Sequence, residues 1–326
     1  MKAKSLTNSI LSLAVMTLFG CGGGGGGGGG GTPVPIHPPA GSVTISGVAA
    51  KGPLNGADVT VYAVKADGTF DRTLGNVGTG KTSADGTGKY SITLTSAPAG
   101  PVVVEITGGT YTDEASGTEN VKLTAPIRAV VPAVVDGDKI AVTPFTELAF
   151  KKAAWSSGSA GNVITLTKTA IDDANASITK SFGLGNIITT IPFDPADAAA
   201  ASGTTADQKK NSAALGTISQ MTVDSATASG GILNAANLGT ATDKLLTDLG
   251  TDMFSTGGIK QATFDSYNAA LVTFSGSAQK QKTSGKPGSH GRPVYETLIE
   301  EGPDAQVRFE IKYLRLPLIS GAALFV

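Results

Sequence analysis

Ten consecutive glycines, Gly22–Gly31, set the strongest limit on what this chain can fold into. Glycine loses more backbone freedom on ordering than any other residue and brings no side chain to bury, so such a run has no way to join a core. A flexible stretch of that length spans roughly 17 Å root-mean-square, from about 5–6 Å times the square root of its length. Residues 32–41 follow with Pro33, Pro35, Pro38 and Pro39. That piece is expected to be stiffer and extended, near 3.1 Å per residue when polyproline-like. Residues 22–41 are therefore read as a tether, although a codon-repeat expansion of no selected length would give the same run. Any folded body has to lie beyond it.

What precedes the tether reads as an address. Lys2 and Lys4 lead into an apolar run from Ile10 to Phe19, which ends at Leu18-Phe19-Gly20-Cys21. A basic start, a short apolar stretch and a small residue before a cut make a secretory leader. The run is too short to span a bilayer, which takes about 20 apolar residues. The Leu-x-Gly-Cys ending resembles the lipobox of bacterial lipoproteins. The resemblance implies cleavage before Cys21, acylation of its thiol with a fatty acid such as palmitate, and a membrane partner held through that lipid. In Gram-negative lipoproteins Asp after the cysteine favours inner-membrane retention. Gly22 stands there instead, so the outer membrane is the expected location, on its periplasmic or extracellular face.

Composition narrows the function classes. Cys21 is the only cysteine, so no disulfide forms within the chain and thiolate metal sites are excluded. The formal net charge is −1, with 16% charged residues, which argues against a nucleic-acid partner. His37 and His290 are the only histidines, one in the tether and one in the tail. They form neither a metal pair nor a Ser-His-Asp triad. No cofactor, metal or catalytic residue is assigned, and the chain is read as non-enzymatic.

Residues 42–140 carry short alternating runs: Val43-Ile45-Val48, Val59-Val61-Ala63, Tyr90-Ile92-Leu94, then Val102–Ile106, Val121–Leu123 and Ala129–Val135. Period two with β-branched residues signals strands, and Asn55-Gly56, Asp67-Gly68 and Asp85-Gly86 mark turns between them. Gly52-Pro53-Leu54-Asn55-Gly56-Ala57-Asp58-Val59-Thr60-Val61, followed by Thr82-Ser83-Ala84-Asp85-Gly86 and Tyr90-Ser91-Ile92-Thr93-Leu94, resembles the carboxypeptidase-regulatory-like (prealbumin-like) module and is similar to Cna-B-type adhesin repeats. That implies a β-sandwich used as a stalk, spacer or binding platform, with no peptidase activity. It also places a tight hairpin at Asp85-Gly86, bulged by the inserted Thr87-Gly88. Some Cna-B-type modules carry a Lys–Asn or Lys–Asp isopeptide bond beside a buried carboxylate. Lys51 and Glu105 are the residues to consider for that role, and they are read instead as exposed edge residues.

One motif in this region is a decoy. Gly75-Asn76-Val77-Gly78-Thr79-Gly80-Lys81-Thr82 satisfies the Walker A pattern, but a phosphate-binding loop needs a buried strand before it and a helix after it. The Asp85-Gly86 turn occupies the place of that helix, so residues 75–82 are read as an exposed Gly-rich loop.

Residues 141–282 switch to helical spacing. Thr143-Pro144 supplies a cap and a first-turn proline ahead of Phe145, Leu148, Ala149 and Ala153. Leu166, Ala170, Ile171, Ala174, Ile178 and Phe182 mark a second helix closed by Gly183. Asp194-Pro195 repeats the cap-then-proline signal. Further stripes are Ala214-Leu215-Ile218-Met221, Ala241-Leu245-Leu249-Met253 and Phe264-Tyr267-Leu271-Phe274. The fold class expected is α+β: an all-β prealbumin/Ig-like sandwich, then a helical bundle.

The acidic pairs Asp113-Glu114 and Asp172-Asp173 are read as solvated surface, and Asp136-Gly137-Asp138 lacks the full pattern of a Ca²⁺ loop. The function expected is an exported, lipid-anchored surface protein with a structural, adhesive or ligand-binding role and an unidentified extracellular protein or glycan as its ligand. The alternative is an extracellular hydrolase using carboxylates of the helical region. Residues 283–326 are atypically charged, with a strand-like Val307–Tyr313. They are read either as a C-terminal β-element or, preferentially, as a segment fused onto the original end.

Overall fold

The computed structural model describes residues 42–156, 163–195, 200–228, 230–255 and 259–276. The leader with Cys21, the tether with His37 and the tail with His290 lie outside the described residues.

The chain is α+β, with several β-sheets in its N-terminal part and five helices later among the described residues. The strands are β1 (Thr44–Ala49), β2 (Asp58–Ala63), β3 (Thr69–Phe70), β4 (Gly78–Lys81), β5 (Lys89–Thr93), β6 (Val102–Thr107), β7 (Thr110–Tyr111), β8 (Val121–Lys122), β9 (Ile127–Val131), β10 (Lys139–Val142) and β11 (Ile164–Thr165). The helices are α1 (Pro144–Ser156), α2 (Lys168–Phe182), α3 (Ala206–Ala228), α4 (Ala235–Ser255) and α5 (Gln261–Gly276). A three-stranded sheet runs β10-β1-β5 and a four-stranded sheet runs β4-β2-β6-β9, with two small pairs, β11-β3 and β7-β8.

β6 explains the layering. Its Val102, Val103, Val104, Glu105 and Ile106 are all buried, a continuous run where a half-buried strand would alternate. Val102, Val104 and Ile106 share a core with Ile45 of β1, Val59 and Val61 of β2 and Ile92 of β5. Val103 joins a second core with Val130, Phe70 and Phe150. The four-stranded sheet is thus covered on both faces. The larger core continues through Phe145, Ile178, Leu215 and Tyr267 into the helices, and all the described residues fall in one compact unit.

The helix signals at Thr143-Pro144 and Gly183 hold. Thr143 caps α1 by accepting from Thr146 N, and Thr146 Oγ1 accepts from Thr143 N (2.8 Å). Thr167 caps α2, and Gly183 closes it in the left-handed conformation at φ 62°. Asp194 and Pro195 themselves lie outside a helix, and the four residues after them lie outside the described residues. Helix α3 begins at Ala206 under a reciprocal box in which Thr205 Oγ1 accepts from Gln208 N and Gln208 Oε1 accepts from Thr205 N. In α4 it is Leu246 rather than Leu245 that is deeply buried.

Two β-region expectations need correction. Residues 78–81 are not a loop but strand β4, antiparallel to β2, and no helix follows. Its glycines serve packing: a Cβ on Gly78 or Gly80 would fall 2.7 or 2.5 Å from Ile92. The Asp85-Gly86 turn has the expected positive φ, 81° at Gly86, yet it closes no hairpin. β4 pairs with β2 and β5 with β1, so the connection crosses from one sheet to the other.

Candidate functional site

The most unusual chemistry in the described residues is an ion cluster with no access to solvent. β1 ends at Ala49, and the turn after it drives Lys51 inward until the residue is fully buried. Asp113 and Glu114, in the loop between β7 and β8, are 0% and 2% exposed. This overturns both readings of exposed charge: neither Lys51 nor the Asp113-Glu114 pair reaches water. Glu105 is also buried, at 6%, but its carboxylate meets Arg72, so the Lys51–Glu105 pairing does not exist. Asp172 and Asp173 are exposed on α2, as expected.

Each polar atom of the cluster has a partner. Lys51 Nζ donates to Asp113 Oδ2 (3.2 Å) and to Ser219 Oγ of α3 (2.7 Å), and lies 3.7 Å from Glu114 Oε2. Ser219 Oγ in turn donates a hydrogen bond to Glu114 Oε2, while Glu114 Oε1 accepts from Gly52 N (2.5 Å). Asp113 Oδ1 accepts from Ser116 N and Ser116 Oγ, both 2.9 Å, so one oxygen shapes its loop and the other holds the lysine. The Tyr111 ring lies 5.0 Å from Lys51 Nζ, and its hydroxyl meets Thr242 Oγ1 of α4 at 3.2 Å. Four elements therefore converge: the turn after β1, the β7–β8 hairpin, α3 and α4.

Electrostatics follow from burial and pairing. Burial alone would lower the Lys51 pKa. The Tyr111 phenol and the carboxylates of Asp113 and Glu114 outweigh it and raise the pKa well above its ordinary value. Burial pushes Glu114 up, and the neighbouring Asp113 adds to the rise, with Lys51 opposing it.

The Ser219–Lys51 contact has the length of a serine–lysine catalytic pair, but both side chains are sealed off, so no substrate reaches them. An ammonium held in its charged form also lacks the lone pair needed to attack a carboxyl. The Lys51–Asp113 contact is accordingly an ion pair. The intact mass of a Cys21→Ser chain made without its leader should match its sequence. A deficit of about 18 Da would instead identify a Lys51 amide with Asp113 or Glu114.

A second, partly buried ion group fastens α1 to β9. Arg128 donates through Nε to Glu147 Oε2 (2.9 Å) and through its terminal nitrogen to Glu147 Oε1, and its guanidinium lies 4.1 Å from the Phe150 ring centre. The acids of the Asp136-Gly137-Asp138 turn serve the backbone. Asp136 Oδ1 accepts from Thr44 N and Asp138 Oδ2 from Val135 N, both at 2.8 Å. Among the described residues no three His, Cys, Asp or Glu side chains converge as a metal site, and no helix is long and apolar enough to cross a membrane.

Ser219 had one usable signal in the sequence. α3 buries Asn211, Ser212, Thr217, Ser219, Gln220 and Thr222 alongside its apolar stripe. A helix with small polar residues on its inner faces is one enclosed on several sides, and its hydroxyls need partners there. Comparison with known protein families, with curated proteins and with solved structures gave no match.

Proposed function

We propose that this chain is an exported, lipid-anchored cell-surface protein, carried on a Gly/Pro tether at the outer membrane. Its role in this reading is structural, adhesive or ligand-binding rather than catalytic. The observation that carries the reading is Leu18-Phe19-Gly20-Cys21 after a short apolar run and two lysines, with that cysteine the only one in the chain. A thiol used nowhere else, directly ahead of a run that cannot fold, fits a lipid attachment point followed by a spacer. In the same reading the β-region is a prealbumin-like sandwich and the helices form a bundle fused to it. The two sheets facing one core support this, as does the burial of Tyr90, Ile92 and Leu94 on one face. The enclosed Lys51 cluster supports a rigid body over an open catalytic cleft.

The test is acylation. Expressed in a Gram-negative host, the chain should incorporate radiolabelled palmitate and fractionate with the envelope. Cys21→Ser should abolish the label and leave the leader uncleaved. Recovery of the parent chain from the cytoplasm with Met1 and an unmodified thiol would overturn the proposal.

A further inference from the structure

We infer that the end of the body at which the chain enters rests on an anionic phospholipid surface, through the Trp155–Phe254 ring pair and the lysines beside it. The inference rests on the anchor proposed above and adds a second, non-covalent contact with the same membrane.

Topology brings the ring pair to that end. The first described residues lead directly into β1, and β10 runs parallel to it, so Thr143 hands the chain to α1 at the opposite end. α1 then doubles back alongside β9: Glu147 meets Arg128, and Phe150 shares a core with Val130. β9 finishes at Val131, and the turn after it returns to the start of β1, where Gly137 N donates to Thr44 O (2.8 Å). The last turn of α1, with Trp155, therefore lies at the entry end. α4 runs the same way. Its Gly239 O accepts from Thr124 Oγ1 (3.1 Å) and its Thr242 meets Tyr111, next to the Lys51 cluster at the far end, while Phe254 meets Trp155 with ring centres 6.2 Å apart.

The chemistry of the patch matches a headgroup layer. Trp155 is 62% exposed and is the only aromatic among the large apolar side chains left exposed in the described residues. Single exposed aliphatic side chains are ordinary. An indole standing out of the fold with a second ring behind it suits a layer that is apolar on one side and wet on the other. Lysines frame the rings. Lys152 Nζ lies 5.9 Å from the Phe254 ring centre and pairs with no carboxylate among the described residues. The stem of Lys151 passes the same ring: a Cβ on Gly250 would lie 3.6 Å from Lys151 Cδ and 3.2 Å from the Phe254 ring. Its ammonium is 3.7 Å from Glu147, a carboxylate that Arg128 already engages. Lys260 is taken up by Asp252. Two cations thus stand in surplus beside two rings, with their apolar stems against the protein. A soluble polyanion would use the lysines and leave the rings in water. A purely apolar partner would cover the rings and strand the lysines. An anionic bilayer uses both. It is also within reach. Residues 22–41 lie between Cys21 and the body, and twenty residues extend to about 70 Å at most.

The test reconstitutes the full acylated chain into vesicles of brominated phosphatidylcholine, with or without brominated phosphatidylglycerol. Trp155 is the only tryptophan in the chain, so its fluorescence reads this contact alone. Emission should be quenched in the anionic vesicles, and much less in the zwitterionic ones or at high salt. Lys152→Glu combined with Lys151→Gln should weaken the contact about tenfold or more, since each lysine near an anionic surface is worth about fivefold, and should leave the melting temperature unchanged. Trp155→Phe combined with Lys122→Trp moves the probe to β8 at the far end, where it should escape quenching. An unquenched Trp155 in anionic vesicles, equal quenching at positions 122 and 155, or quenching indifferent to both salt and the lysine variant would overturn the inference. Flotation of the same vesicles reads the anchor. An acylated chain that floats with Trp155 unquenched defeats the contact alone, and an unacylated chain that is quenched by added anionic vesicles defeats the anchor alone.

Discussion

Replacing Lys51 by methionine should destabilise the fold by about 3–5 kcal/mol, measured as a drop in the urea midpoint of a Cys21→Ser chain made without its leader. The magnitude comes from what is left behind. Asp113 and Glu114 stay enclosed with no cation, and Ser219 loses the donor that orients it. Adding Asp113→Leu and Glu114→Leu to Lys51→Met should recover much of the loss, because an enclosed ion group exchanged for apolar residues of similar size is often close to neutral. A single Lys51→Met that costs under about 1 kcal/mol would mean that water reaches the cluster. The pH dependence has a defined sign. Glu114 has a raised pKa in the folded chain, so folding favours its protonated form. Its contribution is full below the unfolded value near 4.5 and fades as pH rises through the folded value. Glu114→Gln, which fixes the neutral form, should therefore flatten the fall in stability as pH rises above about 4.5. Lys51, also raised, keeps its contribution below its unfolded value of about 10.5 and loses it only in stronger alkali.

Gly47→Ala should be at least as damaging, by about 4 kcal/mol or more. Gly47 sits in the middle of β1, opposite Ile140 of β10 on one side and Tyr90 of β5 on the other. A Cβ there would lie 1.8 Å from the Ile140 carbonyl oxygen and 2.8 Å from the Tyr90 hydroxyl. That hydroxyl donates to the same carbonyl at 2.7 Å, so the methyl group would strike both ends of an existing bond. β10 cannot move aside freely, because it leads through Thr143 directly into α1, which is fastened to β9 by Arg128 and Glu147. Gly276→Ala is the control. It lies at the end of α5 with open space around it, and should be neutral or slightly stabilising. Equal melting temperatures for Gly47→Ala and Gly276→Ala would show that β1 and β10 are less closely paired than described.

Much of this architecture was legible from local pattern. The alternation in Val59–Val61 and Tyr90–Leu94, the Thr143-Pro144 cap and the Gly183 stop depend on neighbours within a few residues, and the chain follows them. β10 was harder to see. Lys139–Val142 is short, lies next to a helix start and pairs in parallel with β1, a partner far away in sequence. The turn at Asp85-Gly86 was legible as a turn but not as a crossing between sheets, since the positive φ is the same in both cases. The buried cluster was misjudged for a related reason. Lys51, Asp113 and Glu114 carry charges that are usually solvated, and only the three-dimensional approach of Ser219, 168 positions from Lys51, makes their enclosure tolerable.

That span between Lys51 and Ser219 has a consequence for how the molecule is made. A nascent chain that has emerged only as far as α2 already holds its sheet strands but has no lid over its most costly charges. It must wait for α3 and α4 before those groups leave water, so the early half cannot commit to its final form ahead of the late half. On the export proposed above, that delay would keep the chain unfinished, and therefore threadable, until α4 has been synthesised.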